Sequence, residues 1–144
     1  MSRETMSSTD ENRALIERFW RDLYERDFEA VAGYFTDDAH YTDVCAPEEG
    51  AFGPDKVVAR LKLGLEPLAG YEHDCKHIVA DGDMVVTEHA ELWKWHTGES
   101  VLLPFVSVHE LRDGKIVRWH DYWDMQTLMN AAPAWWVEHI MVGY

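Results

Sequence analysis

A chain of 144 residues with 47% hydrophobic and 12% aromatic content can bury one well-formed core and is too short for two domains of ordinary size. Its formal net charge of −14 argues against a surface that follows phosphate backbones, because nucleic-acid affinity depends on Lys and Arg displacing counterions, and it equally disfavours an anionic membrane. Cys45 and Cys75 are too few for a disulfide framework, the first residues lack the apolar core of a signal peptide, and no run reaches the roughly 18 apolar residues of a membrane span. The expected location is the cytoplasm, and the expected partner is a small hydrophobic molecule.

Residues 1–8 read as a polar, disordered leader, with one domain over 9–144. Thr9 or Asp10 is placed to cap a first helix in which Leu15, Ile16, Phe19, Trp20 and Leu23 recur at helical spacing. Phe28, Val31, Ala32 and Phe35 suggest a second, short helix ending at Thr36-Asp37-Asp38. Residues 39–44 then read as a strand with Tyr41 and Asp43 on one side. Gly53-Pro54 opens a third helix carrying Val57, Val58, Leu61 and Leu65, since Pro is favoured in a first turn. From Tyr71 the period becomes alternating. Turns at 81–83, 96–98 and 112–115 divide this stretch into four strands, and Asp-Gly between alternating runs is a strong hairpin signal. A short helix at 125–130 and the segment Pro133-Ala134-Trp135-Trp136-Val137 close the chain. Helices followed by a meander predict an α+β domain, the helices packed on one face of a curved antiparallel sheet.

Two of these strands carry ionisable residues where apolar ones are expected. Alternation places His89 and Glu91 on one side with Thr87 and Trp93, and Asp121 with Trp119 and Trp123. Carboxyl and imidazole groups among indoles are desolvated, which moves their pKa values toward the range useful for proton transfer. The pattern points to acid–base chemistry in an apolar pocket.

The element order and these residues resemble the cone-shaped fold of nuclear transport factor 2, ketosteroid isomerase, scytalone dehydratase and the SnoaL-type polyketide cyclases. Within that superfamily the chain resembles limonene-1,2-epoxide hydrolase. The family's Arg-x-Asp motif, which follows Thr-Glu, falls on His89 and Glu91 after Thr87-Glu88. The Asp of its Trp-Arg-Asp-Tyr-Phe-Asp motif falls on Asp121, and its Tyr-x-Asn falls on Tyr41 and Asp43. Tyr41 and Asp121 keep their identity; His replaces Arg, Glu replaces Asp, and Asp replaces Asn. The resemblance implies an NTF2-like cone, its curved mixed or antiparallel sheet wrapped around the N-terminal helices over an interior pocket, with neither cofactor nor metal.

Carried over, Asp121 is the base that draws a proton from a water held also by Tyr41 and Asp43. Glu91 is the acid that protonates the epoxide oxygen, and His89 bridges Glu91 and Asp121. Trp93, Leu103, Phe105, Trp123, His73, Trp135 and Trp136 are expected to line or close the substrate cavity, whereas Trp20 and Trp119 read as core. His73 and His77 alternate with Cys75, which puts both beside His89; a metal site drawn from His73, His77, His89 and Asp121 has no local ligand motif behind it. His40, His96, His120 and His139 read as outer-face or turn residues. Asp38-Ala39-His40-Tyr41-Thr42-Asp43 also resembles the segment bearing the proton-shuttling Asp of ketosteroid isomerase, although that enzyme's second acid falls on Ser107. Isomerase, cyclase or dehydratase chemistry is therefore the alternative to epoxide hydrolysis, and a non-catalytic ligand-binding module is a third reading. Leu102, Val106, Val108, Val86, Ala90 and Leu92 make the other sheet face apolar, from which a homodimer is expected.

Overall fold

The computed structural model describes residues 3–144. Helix α1 (Arg3–Tyr24) presents Ile16, Phe19, Trp20 and Leu23 as one buried stripe. It starts earlier than the composition suggests: of the expected leader, Met1 and Ser2 lie outside the described residues, and Arg3 onward is helical. Thr9 sits inside the helix and accepts a hydrogen bond from Gly82 N, so its hydroxyl ties α1 to a hairpin instead of capping it. Helix α2 (Phe28–Ala32) is capped by Asp27, which accepts from Ala30 N at 3.1 Å. It ends three residues before the expected Phe35.

Strand β1 (Phe35–Asp43) takes in the Thr36-Asp37-Asp38 that reads as a helix end. Asp37 and Asp38 are exposed, and Arg112 pairs with Asp38, so this polar run is the solvent-facing part of a strand. After β2 (Ala51–Phe52), helix α3 (Pro54–Leu65) begins at its proline and buries Val57, Leu61 and Leu65. The meander follows as β3 (Gly70–Asp81), β4 (Met84–Lys94), β5 (Ser100–Arg112) and β6 (Lys115–Tyr122), then α4 (Met125–Ala131) and α5 (Ala134–Met141). In the last hairpin Asp113 and Gly114 both have positive φ, the backbone of a two-residue turn whose twist matches the strands it joins.

Among the described residues six strands form one sheet in the order β2-β1-β6-β5-β4-β3. It is mixed and not purely antiparallel, because β1 runs parallel to β6. The register aligns Asp43 with Asp121, Asp121 with Ser107, and Ser107 with Thr87, a row of polar side chains across four strands. The inner face of β4 is Val85, Thr87, His89, Glu91 and Trp93, all buried, as alternation requires. On the outer face Leu102 is 61% exposed and Val79 63%, so this apolar side stays open in a single chain. No helix among the described residues is long and apolar enough to cross a membrane.

Candidate active site

The sheet and helices enclose a cavity of about 610 Å³. Its wall includes Tyr41, Asp43, Glu91 and Asp121 from three strands, with Trp93, Leu103, Phe105, Trp123 and Trp136 as expected from the sequence. Trp20 and Trp119, which read as core, also face it. Trp135 does not: its indole donates to Thr97 Oγ1 at 3.0 Å and lies beside His96, because α5 turns Trp136, Ile140 and Met141 toward the cavity and Trp135 away from it.

Asp121 is 6% exposed and accepts from Ser107 Oγ at 2.5 Å and from Trp119 Nε1 at 2.6 Å. Both bonds fall on Oδ1, which leaves Oδ2 for a guest in the cavity. Burial pushes the Asp121 carboxyl well above the ordinary range, with the charge of Asp43 acting in the same direction. Glu91, also 6% exposed, is surrounded by donors: Tyr24 and Tyr71 hydroxyls to Oε2, the latter at 2.5 Å, and Trp93 Nε1 to Oε1 at 3.2 Å. Burial outweighs those donors and lifts Glu91 to about 7. Burial also raises Tyr24, Tyr71 and Tyr41 well above the usual phenol range, so these hydroxyls serve as neutral donors.

Asp43 is fixed on both oxygens. Arg60 Nη2 meets Oδ2 at 2.9 Å, and Trp123 Nε1 donates to Oδ1 at 2.8 Å. The Tyr41 hydroxyl lies 3.4 and 3.5 Å from the same carboxylate, a loose contact that leaves it able to hold a water. Arg60 also pairs with Glu48 and stands over the Tyr41 ring, 5.4 Å from its centroid. The fixed cation of this pocket therefore comes from α3.

His89 is 1% exposed but does not reach Glu91. Its Nδ1 pairs with His73 Nε2 at 2.7 Å and its Nε2 with Ser107 Oγ at 2.9 Å, so its link to Asp121 runs through Ser107. The expected bridge between the two carboxyls is thus corrected: an imidazole is too short to span what a guanidinium spans. Burial first, and neighbouring His73 and His109 second, press His89 down to about 2, which keeps it neutral. His73 is absent from the cavity wall; it stacks on Tyr24 with ring centroids 4.1 Å apart and holds His89 from behind. His77 turns outward to pair with Glu88 at 2.8 Å, because a register shift between Cys75 and His77 breaks the alternation. His73 therefore stands beside His89 as expected, though behind the cavity wall, whereas His77 does not reach it.

Four participants escape a reading of the strands alone: Tyr24, Tyr71, Arg60 and, in its bridging role, Ser107. Tyr24 continues the stripe of Trp20 and Leu23 by one position, and Tyr71 is two residues before His73 on alternating β3. Those spacings are the signals that point to them. Arg60 borders the inward Leu61, but α3 also carries Lys56 and Lys62, so the sequence does not single it out.

A model of the SnoaL-like domain family matches residues 16–119. Among solved structures, an LEH-like epoxide hydrolase of M. tuberculosis is 27% identical, with a TM-score of 0.72, over 85% of this chain and 89% of that one. A protein of Shewanella putrefaciens CN-32 described as a SnoaL-like polyketide cyclase is 18% identical (TM-score 0.74; 83% and 84% covered). One of Kribbella flavida DSM 17836 described as a ketosteroid isomerase is 21% identical (TM-score 0.68; 81% and 80% covered). The last two share the fold.

Proposed function

Since this chain belongs to the SnoaL-like domain family, on a fold that is often enzymatic, we propose that it adds water to the epoxide ring of a small hydrophobic substrate by acid–base catalysis, without a cofactor. The observation that carries this reading is that Asp121 and Glu91, both desolvated, line one cavity whose wall is otherwise mainly aromatic and aliphatic. The similarity to an LEH-like epoxide hydrolase supports it.

A water between the Tyr41 hydroxyl, Asp43 and Asp121 Oδ2 is the nucleophile. As its oxygen bonds to an epoxide carbon, one of its protons passes to Asp121. The carbon–oxygen bond of the ring breaks, and Glu91 protonates the departing oxygen, giving a diol. Positioned proton transfer of this kind contributes about 100- to 10,000-fold. Asp43, tied by Arg60 and Trp123, orients the water; with both oxygens engaged it is poorly placed to carry protons as an isomerase base.

The two carboxyls act on one shared proton. The working form has Asp121 bare and Glu91 protonated; burial raises both carboxyls, which suits Glu91 as the acid and opposes the bare form of Asp121. The Ser107 and Trp119 donors on Oδ1 stabilise that form.

The test is turnover of limonene oxide and a panel of aliphatic epoxides in oxygen-18 water. The expected product is a diol with one labelled oxygen, formed without an enzyme ester. If no epoxide opens while a ketone exchanges its alpha hydrogen with deuterated solvent, proton-shuttle chemistry replaces hydrolysis.

A further inference from the structure

Behind Asp121 a line of polar groups leads away from the cavity, and the geometry assigns His73, His89 and Ser107 as the path by which Asp121 exchanges its proton with solvent while a substrate fills the pocket. This rests on the reading of Asp121 as the base.

The contacts are continuous: Asp121 Oδ1 to Ser107 Oγ at 2.5 Å, Ser107 Oγ to His89 Nε2 at 2.9 Å, and His89 Nδ1 to His73 Nε2 at 2.7 Å. Asp121 belongs to the cavity wall, whereas Ser107, His89 and His73 do not. Ser107 and His89 are buried, and His73 is half-buried on the edge strand β3, so the line has one end in the pocket and the other at the rim of the sheet. The exposed Asp74 stands next to that outer end. The groups facing Asp121 are Asp43, Glu91, Ser107 and Trp119; those facing the imidazoles are Tyr24, Trp20 and His109.

Ser107 accepts and donates through its one hydroxyl, and each imidazole accepts on one nitrogen and donates on the other, so one proton crosses without a charged imidazole. With Asp121 protonated, its O–H donates to Ser107, Ser107 to His89 Nε2, and His89 Nδ1–H to His73 Nε2, with the last proton on His73 Nδ1. When that proton leaves, every bond shifts by one place. His73 becomes Nε2–H, His89 becomes Nε2–H, and Ser107 donates to a bare Asp121 carboxylate. One proton is lost from Asp121 and one appears in solvent, and the step reverses when a proton returns. The path answers a need of the mechanism: a substrate that displaces cavity water removes the direct route by which the resting carboxyl sheds its proton.

Nitrogen-15 and carbon-13 NMR of the labelled protein tests this without a substrate. As the Asp121 carboxyl ionises with rising pH, the protonated nitrogen of His89 and of His73 is expected to change from Nδ1 to Nε2 while both rings stay neutral. In Ser107→Ala the imidazoles should stop following Asp121. Tautomers that stay fixed through the Asp121 titration overturn the path. In turnover, His73→Ala is expected to slow the reaction about tenfold or more, with recovery in imidazole but not in pyrrole, which cannot pass a proton. A His73→Ala rate equal to wild type also overturns it. If wild type opens no epoxide, the hydrolase reading fails and the NMR result alone decides the path.

Discussion

His89 and His109 stand on neighbouring strands of the same inner face, 1% and 0% exposed, and burial holds both far below the usual imidazole range. Their surroundings differ in one respect. His89 has a partner on each ring nitrogen, whereas neither nitrogen of His109 has one; it is packed between Phe19, Trp20 and Trp119. Burial and a shifted pKa therefore do not mark a functional histidine by themselves. What separates the two is whether the ring connects a reacting group to something else.

The contrast predicts unequal results from substitutions of equal shape. His89→Phe, which keeps a ring against Phe105, should reduce turnover by about 10- to 100-fold, up to the low end of what positioned proton transfer provides, because the line behind Asp121 is cut. His109→Phe should leave turnover within experimental error and raise stability by about 1–3 kcal/mol in denaturant melts, the cost of leaving a buried polar group unsatisfied. Equal losses of activity in both variants would erase the distinction.

The same pair governs acid stability. His89 and His109 titrate at about 2 and 3 when folded and near 6.5 when unfolded, so each removes about 1.4 kcal/mol per pH unit as pH falls below 6.5. Glu91 and Asp121 are shifted the other way. Their protonation favours the folded state as pH falls toward their ordinary values, from about 7 to 4.5 for Glu91 and from a raised value to 3.8 for Asp121. With His73, lowered to about 4, three histidines oppose the two carboxyls, so stability should fall as pH drops below 6.5 and go on falling below pH 3.8, where neither carboxyl offsets it, and His109→Phe should make that fall shallower. The smallest effect on chemistry belongs to the outer face. We propose that it joins two copies, so Val106→Glu should shift light-scattering mass from dimer to monomer with little change in turnover per chain.

Much of this was legible in the chain. Asp113-Gly114 announced its hairpin because few other residues accept two positive φ values in succession, and alternation along β4 placed His89, Glu91 and Trp93 on one face. Local pattern could not show that Asp37 and Asp38 belong to a strand, because their exposure comes from the sheet's shape. Nor could it show the shift between Cys75 and His77, which turns His77 outward without any glycine or proline to signal it. Arg60 and Tyr24 lie on helices whose rotation over the sheet is set by packing, so their arrival beside Asp43 and Glu91 is a tertiary fact. Ser107 reads as filler until the register sets it opposite Asp121.

Whether Asp121 accepts the proton that water loses is measured most directly by turnover of Asp121→Asn on an epoxide that wild type opens, with unfolding followed on the same sample. The amide keeps the shape of the carboxyl but cannot take the proton. The expected result is a folded protein with turnover at least about 100-fold lower. A folded Asp121→Asn that opens the epoxide at near the wild-type rate would contradict it.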